Sequence, residues 1–243
     1  MDEKAPLVLA LDTGTACTTV ALTRGTMSHG EILATASLVG KITHSRRLIS
    51  LVDWIMQQAR VDWSMVDAIG VGLGPGSFTG LRIGMATAKG LAAASGRPLV
   101  GVSTLDVLAA ACESSRMICA VLDARKKEVY CGFYWQQEGR VERMGEIEVL
   151  PPEELARCID TPTLMVGDGV VTYQELWRDL LGDLIRFGTP ASRLPSAAVL
   201  GLFGGERLVA GDTLEIGAAV PLYVRKSDAQ LSLVTRKHHT KKQ

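Results

Sequence analysis

GVGLGPGSFTGLRIGMATAKGLAAA, running from Gly70 to Ala94, opens as an apolar strand, passes through a loop crowded with glycine, and continues as a helix whose only charges are Arg82 and Lys89. A glycine-rich loop between strand and helix is a common setting for bound phosphate. This loop fails the spacing tests for the known versions. It is not GxxxxGK[ST]; Ser77 and Thr79 stand where GxGxxG requires glycine; and Gly74 lies three residues before Ser77, so no GxSxG elbow forms. It offers freedom at Gly74, Gly76 and Gly80, and a hydroxyl at Ser77 or Thr79 to cap the helix. The helix says more. Ile83, Thr87, Leu91 and Ala94 form one apolar face, expected to pack on the chain's own sheet. Leu81, Met85, Ala88 and Ala92 form a second, with Gly84 between the two. A helix apolar nearly all round is buried on several sides, so the second face is expected either to be covered by other elements of the same chain or, the reading favoured here, to meet a subunit.

Outward from this stretch the periods alternate. LVLALD (residues 7–12) is a short apolar run, TTVALT its hairpin partner and EILATASL a third strand. HSRRLISLVDWIMQQAR then repeats as a helix, with Leu48, Val52, Ile55 and Ala59 on one face and Leu51 and Met56 beside it. PLVGVS reads as a strand and STLDVLAAACE as a helix capped by Ser103 or Thr104. At Met117 the plan restarts: MICAVLD, its partner EVYCGFYW, a third strand GRVERMGEIEVL, a helix from PPEELARCI, the strand TLMVGDGV, the helix VVTYQELWRDLL, and further helix between Ser196 and Ala210. Strands in threes followed by helices, stated twice, predict an α/β chain of two duplicated lobes. Residues 1–105 form the first, with the docking helices, and 106–243 the second, whose C-terminal segment is free to pack back on the first.

The 243 residues are enough for such a core, and 47% of them are hydrophobic. The formal net charge of zero argues against unaided gripping of nucleic acid, although Arg236, Lys237, His238, His239, Lys241 and Lys242 crowd the tail. Five cysteines, an odd count without a CxxC pair, suit reduced thiols, and the acidic N-terminus has no long apolar run; a cytoplasmic chain without a membrane span is expected.

Chemistry is thinly represented. DTGT (Asp12, Thr13, Gly14, Thr15) has the form of the first phosphate turn of the actin, Hsp70 and sugar-kinase (ASKHA) superfamily, where an Asp holds a metal through water; it also reads as an ordinary hairpin turn. Asp123 opens the corresponding turn of the second lobe, DARKKEVY, but Arg125, Lys126, Lys127 and Glu128 fill a turn that needs small residues. Half of a nucleotide clamp is missing. The histidines are His29, His44, His238 and His239, with no HExxH or HxxxH pair, and Ser77 has no fixed base. No catalytic residue, no metal site and no cofactor are expected, beyond a vestigial ATP/Mg site at Asp12 and Asp123. An ATP-dependent small-molecule kinase is the alternative.

GPGSFTGLRIGMATAKGLA, with DTGT, GVSTL, DARKKEVY and PLYVR in the same order, closely resembles the signature of the bacterial TsaB family, also called YeaZ. The resemblance covers nearly the whole chain. It implies a two-lobed ASKHA fold and a part in making N6-threonylcarbamoyladenosine beside the tRNA anticodon. In that family the chemistry belongs to a partner, TsaD, with an HxxxH metal site; TsaE docks on the pair, and older peptidase names reflect kinship with TsaD. It implies a non-catalytic subunit that touches tRNA only through the complex and forms a homodimer when alone. Carried over, the TsaD-facing surface is Leu81, Arg82, Met85, Ala88, Lys89 and Ala92, with Leu48, Val52, Ile55 and Met56 of the preceding helix. Met85→Glu or Ala88→Arg is then expected to break the pair and spare the fold.

Overall fold

The structure, a computed structural model, describes residues 5–40, 44–137 and 140–224; the basic tail and Arg225 of PLYVR lie outside the described residues. Two sheets repeat one topology. In the first, β1 (Leu7–Asp12) pairs antiparallel with β2 (Cys17–Gly25), which pairs antiparallel with β3 (Gly30–Val39). On its other side β1 runs parallel to β4 (Ala68–Gly74), and β4 to β5 (Leu99–Ser103). The second sheet does the same around β6 (Met117–Arg125). β7 (Glu128–Gln137) and β8 (Arg140–Arg143) lie antiparallel on one side, and β10 (Thr163–Val166) and β11 (Ile185–Phe187) parallel on the other. The order β3-β2-β1-β4-β5 thus recurs as β8-β7-β6-β10-β11, so the duplication read from the two Asp-ended strands is a duplication of topology.

Because successive strand residues face opposite ways, β1 serves two cores. Leu7, Leu9 and Leu11 pack under α1 (His44–Ala59) and α2 (Phe78–Ser95). Val8 and Ala10 pack under α6 (Ala197–Val209) with Leu200. Between the lobes α3 (Thr104–Ala110) acts as a wedge: Val107 joins the first lobe's core while Leu105 and Leu108 join the second's. On the far face of the second sheet, α4 (Pro152–Arg157) and α5 (Gly169–Leu181) bury Leu155 and Trp177, whose indole N–H donates to the Pro152 carbonyl at 2.9 Å.

Three features refine the sequence reading. The stretch read as one third strand breaks at Gly145, where φ is +90°, into β8 and β9 (Glu148–Leu150), both paired to β7. The three-residue strand β11 carries too few residues for a period and escapes sequence reading. And α6 lies across β1, β2 and β4, after which residues 213–224 return over the first lobe as a strap: Leu214 bridges Leu99, and the Leu222 N–H donates to the Leu73 carbonyl. Residues 197–224 are thus built onto the first lobe. No helix among the described residues is long and apolar enough to cross a membrane.

Candidate functional site

The DTGT turn is closed by the glycine-rich loop between β4 and α2. Ser77 N–H donates to the Gly14 carbonyl at 2.7 Å, and the Thr13 hydroxyl donates to the Gly80 carbonyl at 2.7 Å. The loop's glycines exist for this approach. A Cβ at Gly76 would collide with the Gly14 carbonyl, one at Gly80 with the Thr13 carbonyl, and one at Gly84 with the Thr13 hydroxyl. Ser77 caps α2 by accepting from Gly80 N–H. The glycine run therefore seats a helix on a turn.

Asp12 is sealed behind that contact. Its side chain accepts from Gly14 N–H at 2.6 Å and from the Thr104 hydroxyl at 2.9 Å, and it fills the space a Cβ on Gly72 would need. It is 1% exposed and does not line the cleft between the lobes. The sequence leaves a vestigial nucleotide site open at Asp12 beside an ordinary turn; its carboxylate is part of the first lobe's interior. Burial pushes its pKa above the ordinary value, against the two hydrogen bonds that lower it. The folded chain then keeps this proton over a window, from the ordinary carboxylate value upward, in which the unfolded chain has released it. Stability falls as pH rises through that window. Asn at this position would accept from Gly14 N–H and donate to the Thr104 oxygen without carrying charge. Asp12→Asn is expected to melt at or above the parent's temperature at pH 7 and to lose that downward slope. A loss of about 1–3 kcal/mol, the cost of an unmatched buried polar group, would show instead that the anion is needed.

The cleft itself has a volume of about 800 Å³ and is lined from both lobes. Gly14, Thr15 and the start of α2 form one wall; Thr15's hydroxyl accepts from Cys17 N–H. Asp123, Arg125, Lys126 and Asp168 form the other. Asp123 takes Arg125's backbone N–H at 2.8 Å and its guanidinium at 3.1 Å, while its own N–H donates to Asp168. Burial raises the Asp168 pKa. Among the described residues no group of three or more His, Cys, Asp or Glu is placed to hold a metal ion. With Asp12 enclosed, Gly14 N–H already used and Asp123 closed on its own turn, the residues do not fit a metal-nucleotide clamp. Asp168 lines the cleft although the sequence does not mark it as a site residue; the glycines on both sides give it the look of an ordinary turn.

The docking faces require a correction. Met85, Ala88 and Ala92 are buried against the first sheet, and so are Leu48, Val52, Ile55 and Met56; Leu81 is buried beside Gly14 and Gly74, at the edge of the cleft. The face expected on the sheet is the less covered one: Ile83 and Leu91 are only partly buried at the margin of the core and Ala94 is exposed. Met85→Glu and Ala88→Arg therefore place a charge in the core and cannot read an interface. Lys89 donates to the Gly217 and Ala219 carbonyls of the strap, at 2.9 and 3.2 Å. Arg82 lies over the Phe78 ring and donates to the Tyr223 hydroxyl. Of the ten residues carried over, only Arg82 is exposed and only Lys89 half-exposed. The outward stripe of α2 is instead Arg82, Ala86, Gly90, Ala93 and Ala94, and α1 exposes Ile49 and Trp54. Gly90 has nothing within 4 Å of where a Cβ would stand.

These features define a class: a duplicated two-lobed α/β chain with a cleft between its lobes and a first-lobe helix pair with an exposed small-residue face. The family model described as TsaD, tRNA N6-adenosine threonylcarbamoyltransferase, matches residues 38–232. The chain is 31% identical over 229 residues to the tRNA threonylcarbamoyladenosine biosynthesis protein TsaB of Escherichia coli, covering 91% of this chain and 96% of that one. The TsaB of Haemophilus influenzae is 38% identical over 69% of this chain and 74% of its own. A solved structure, YeaZ from Pseudomonas aeruginosa, superposes with a TM-score of 0.76 at 35% identity, over 90% of this chain and 99% of that one. The chain belongs to the TsaB (YeaZ) family, and the two-lobed ASKHA fold expected from its sequence is the fold it has.

Proposed function

We propose that this chain works in tRNA threonylcarbamoyladenosine biosynthesis as a non-catalytic subunit that docks on a TsaD-type transferase and supports it. The involvement in that biosynthesis rests on the TsaB relatives. The subunit role rests above all on Gly90. A glycine inside a helix costs roughly 1 kcal/mol against alanine. Gly80 and Gly84 have a reason within the chain, the close approach of Thr13, and Gly90 has none. Flanked by Ala86, Ala93 and Ala94, it leaves a shallow track on which a second backbone can lie. The exposed Trp54 and Ile49 of α1 supply the large apolar side chains that such an interface needs. The same track would pair two copies when the transferase is absent, and a TsaE-type subunit would join the assembled pair.

Reconstitution tests the reading. Transfer to tRNA by the transferase is expected to require this chain and to survive Asp12→Asn in it. Modification at full rate without the chain, or transfer by the chain alone, would overturn the proposal.

A further inference from the structure

Arg125, Lys126 and Lys127 form the tip of the β6–β7 hairpin with φ of +63°, +54° and +61°. Each non-glycine residue in that region costs roughly 1 kcal/mol or more. The tip could have been relaxed by glycine, and three cations stand there in its place. All three are exposed, and Arg125 and Lys126 line the cleft. Facing them across the cleft, Phe78 and Tyr223 are 40% and 42% exposed, their ring centroids 5.4 Å apart, with the Arg82 guanidinium 4.0 Å from the Phe78 centroid. Exposed rings and a guanidinium plane on one wall, with a row of cations on the other, match an unpaired nucleic-acid strand. The rings offer stacking surface to a base, and the cations follow the phosphates.

We infer that the mouth of the inter-lobe cleft contacts a single-stranded loop of RNA, with a base against Phe78 and Tyr223 and the backbone on the Arg125–Lys127 tip. The inference rests on the proposed role in tRNA modification. A free nucleotide fits less well. Its phosphates would need convergent N–H groups, and Gly14 N–H is bound to Asp12 while Arg125 N–H is bound to Asp123. The cations sit on an outer tip, suited to phosphates spaced along a chain. Deeper in the cleft, Asp123 and Asp168 would repel a phosphate but accept hydrogen bonds from the amino group of a base. The balanced net charge keeps such a contact weak in the chain alone and lets the site add to a larger RNA surface in the complex.

The test uses the full chain, alone and with its transferase partner, and an unmodified anticodon stem-loop as probe at several salt concentrations. The first variant is Lys126→Gly with Lys127→Gly, which removes two cations and relaxes the backbone. It is expected to melt higher than the parent, to weaken RNA binding about tenfold at low salt, and to reduce the slope of log K against log salt by about 1.4, the single-strand value for two phosphates. The second, Phe78→Ala, is expected to weaken binding about five- to a hundredfold. Capture of the transferase by both variants is expected to match the parent, so a failure here is distinguishable from a failure of the subunit role. Unchanged RNA affinity and salt slope in the double glycine variant would overturn the inference. So would displacement of the stem-loop by ATP at concentrations where the parent binds ATP as tightly as RNA.

Discussion

Gly80→Ala is expected to lower the stability of this chain by about 3 kcal/mol or more, at the upper end of what overpacking does. The added methyl would stand 2.0 Å from the Thr13 carbonyl oxygen, and the obstacle is backbone, which has no rotamer to turn away. The surrounding contacts leave no inexpensive retreat. The Thr13 hydroxyl holds the Gly80 carbonyl, Gly14 holds Ser77, and a Cβ at Gly76 is itself forbidden by Gly14. Relief would lift the first turn of α2 from the β1–β2 turn and draw Leu81 and Met85 out of the core. At this chain length the loss corresponds to a melting temperature lower by roughly 10 °C. Calorimetry on the purified variant checks it. A shift under about 2 °C would mean that the glycine run has another purpose, and the phosphate-loop reading would return.

The duplicated topology was legible because LVLALD and MICAVLD are short, uncharged and ended by Asp, and each is followed by a hairpin partner. Those features depend on nearest neighbours in sequence. The orientation of α2 was not legible. Ala, Gly and Thr occupy so much of its circumference that its period marks two apolar stripes and does not rank them. Packing does: Met85, Ala88 and Ala92 go to the sheet, Ile83 and Leu91 stay partly covered at its margin, and the stripe left outside is a third one, Arg82, Ala86, Gly90 and Ala93. The sequence left the C-terminal segment free to pack back on the first lobe, but the place of the strap on α2 was not legible. PLYVR has no period, and its attachment to α2 depends on Lys89 and Arg82 reaching residues more than a hundred positions away. Those two charges, carried over as part of a partner-facing surface, are ties to residues 217–223 of the same chain. DTGT was read for what its residues do elsewhere. Only the position of Thr104, ninety-two residues on, shows that Asp12 points inward.

Gly90→Arg is expected to weaken capture of the transferase by about a hundredfold or more, the scale of a lost interface hot spot, while leaving the melting temperature within a few degrees of the parent's. The helix tolerates any side chain at this position from its own side, since nothing lies within 4 Å of the Cβ. Gly90→Ala separates the chain's interest from the partner's. In the isolated chain alanine raises stability by up to about 1 kcal/mol, or roughly 2–4 °C, because the helix gains propensity and meets no obstacle. At an interface where a backbone lies on the track, the same methyl displaces the partner. A variant more stable alone and weaker in capture is therefore the signature of a glycine kept for another molecule, and no purely structural role gives both signs. The homodimer provides a second readout, because Gly90→Arg should leave the chain monomeric in sedimentation if one track serves both pairings. Capture at parental affinity by Gly90→Arg would place the docking surface away from α2, and the small-residue stripe would need a different explanation.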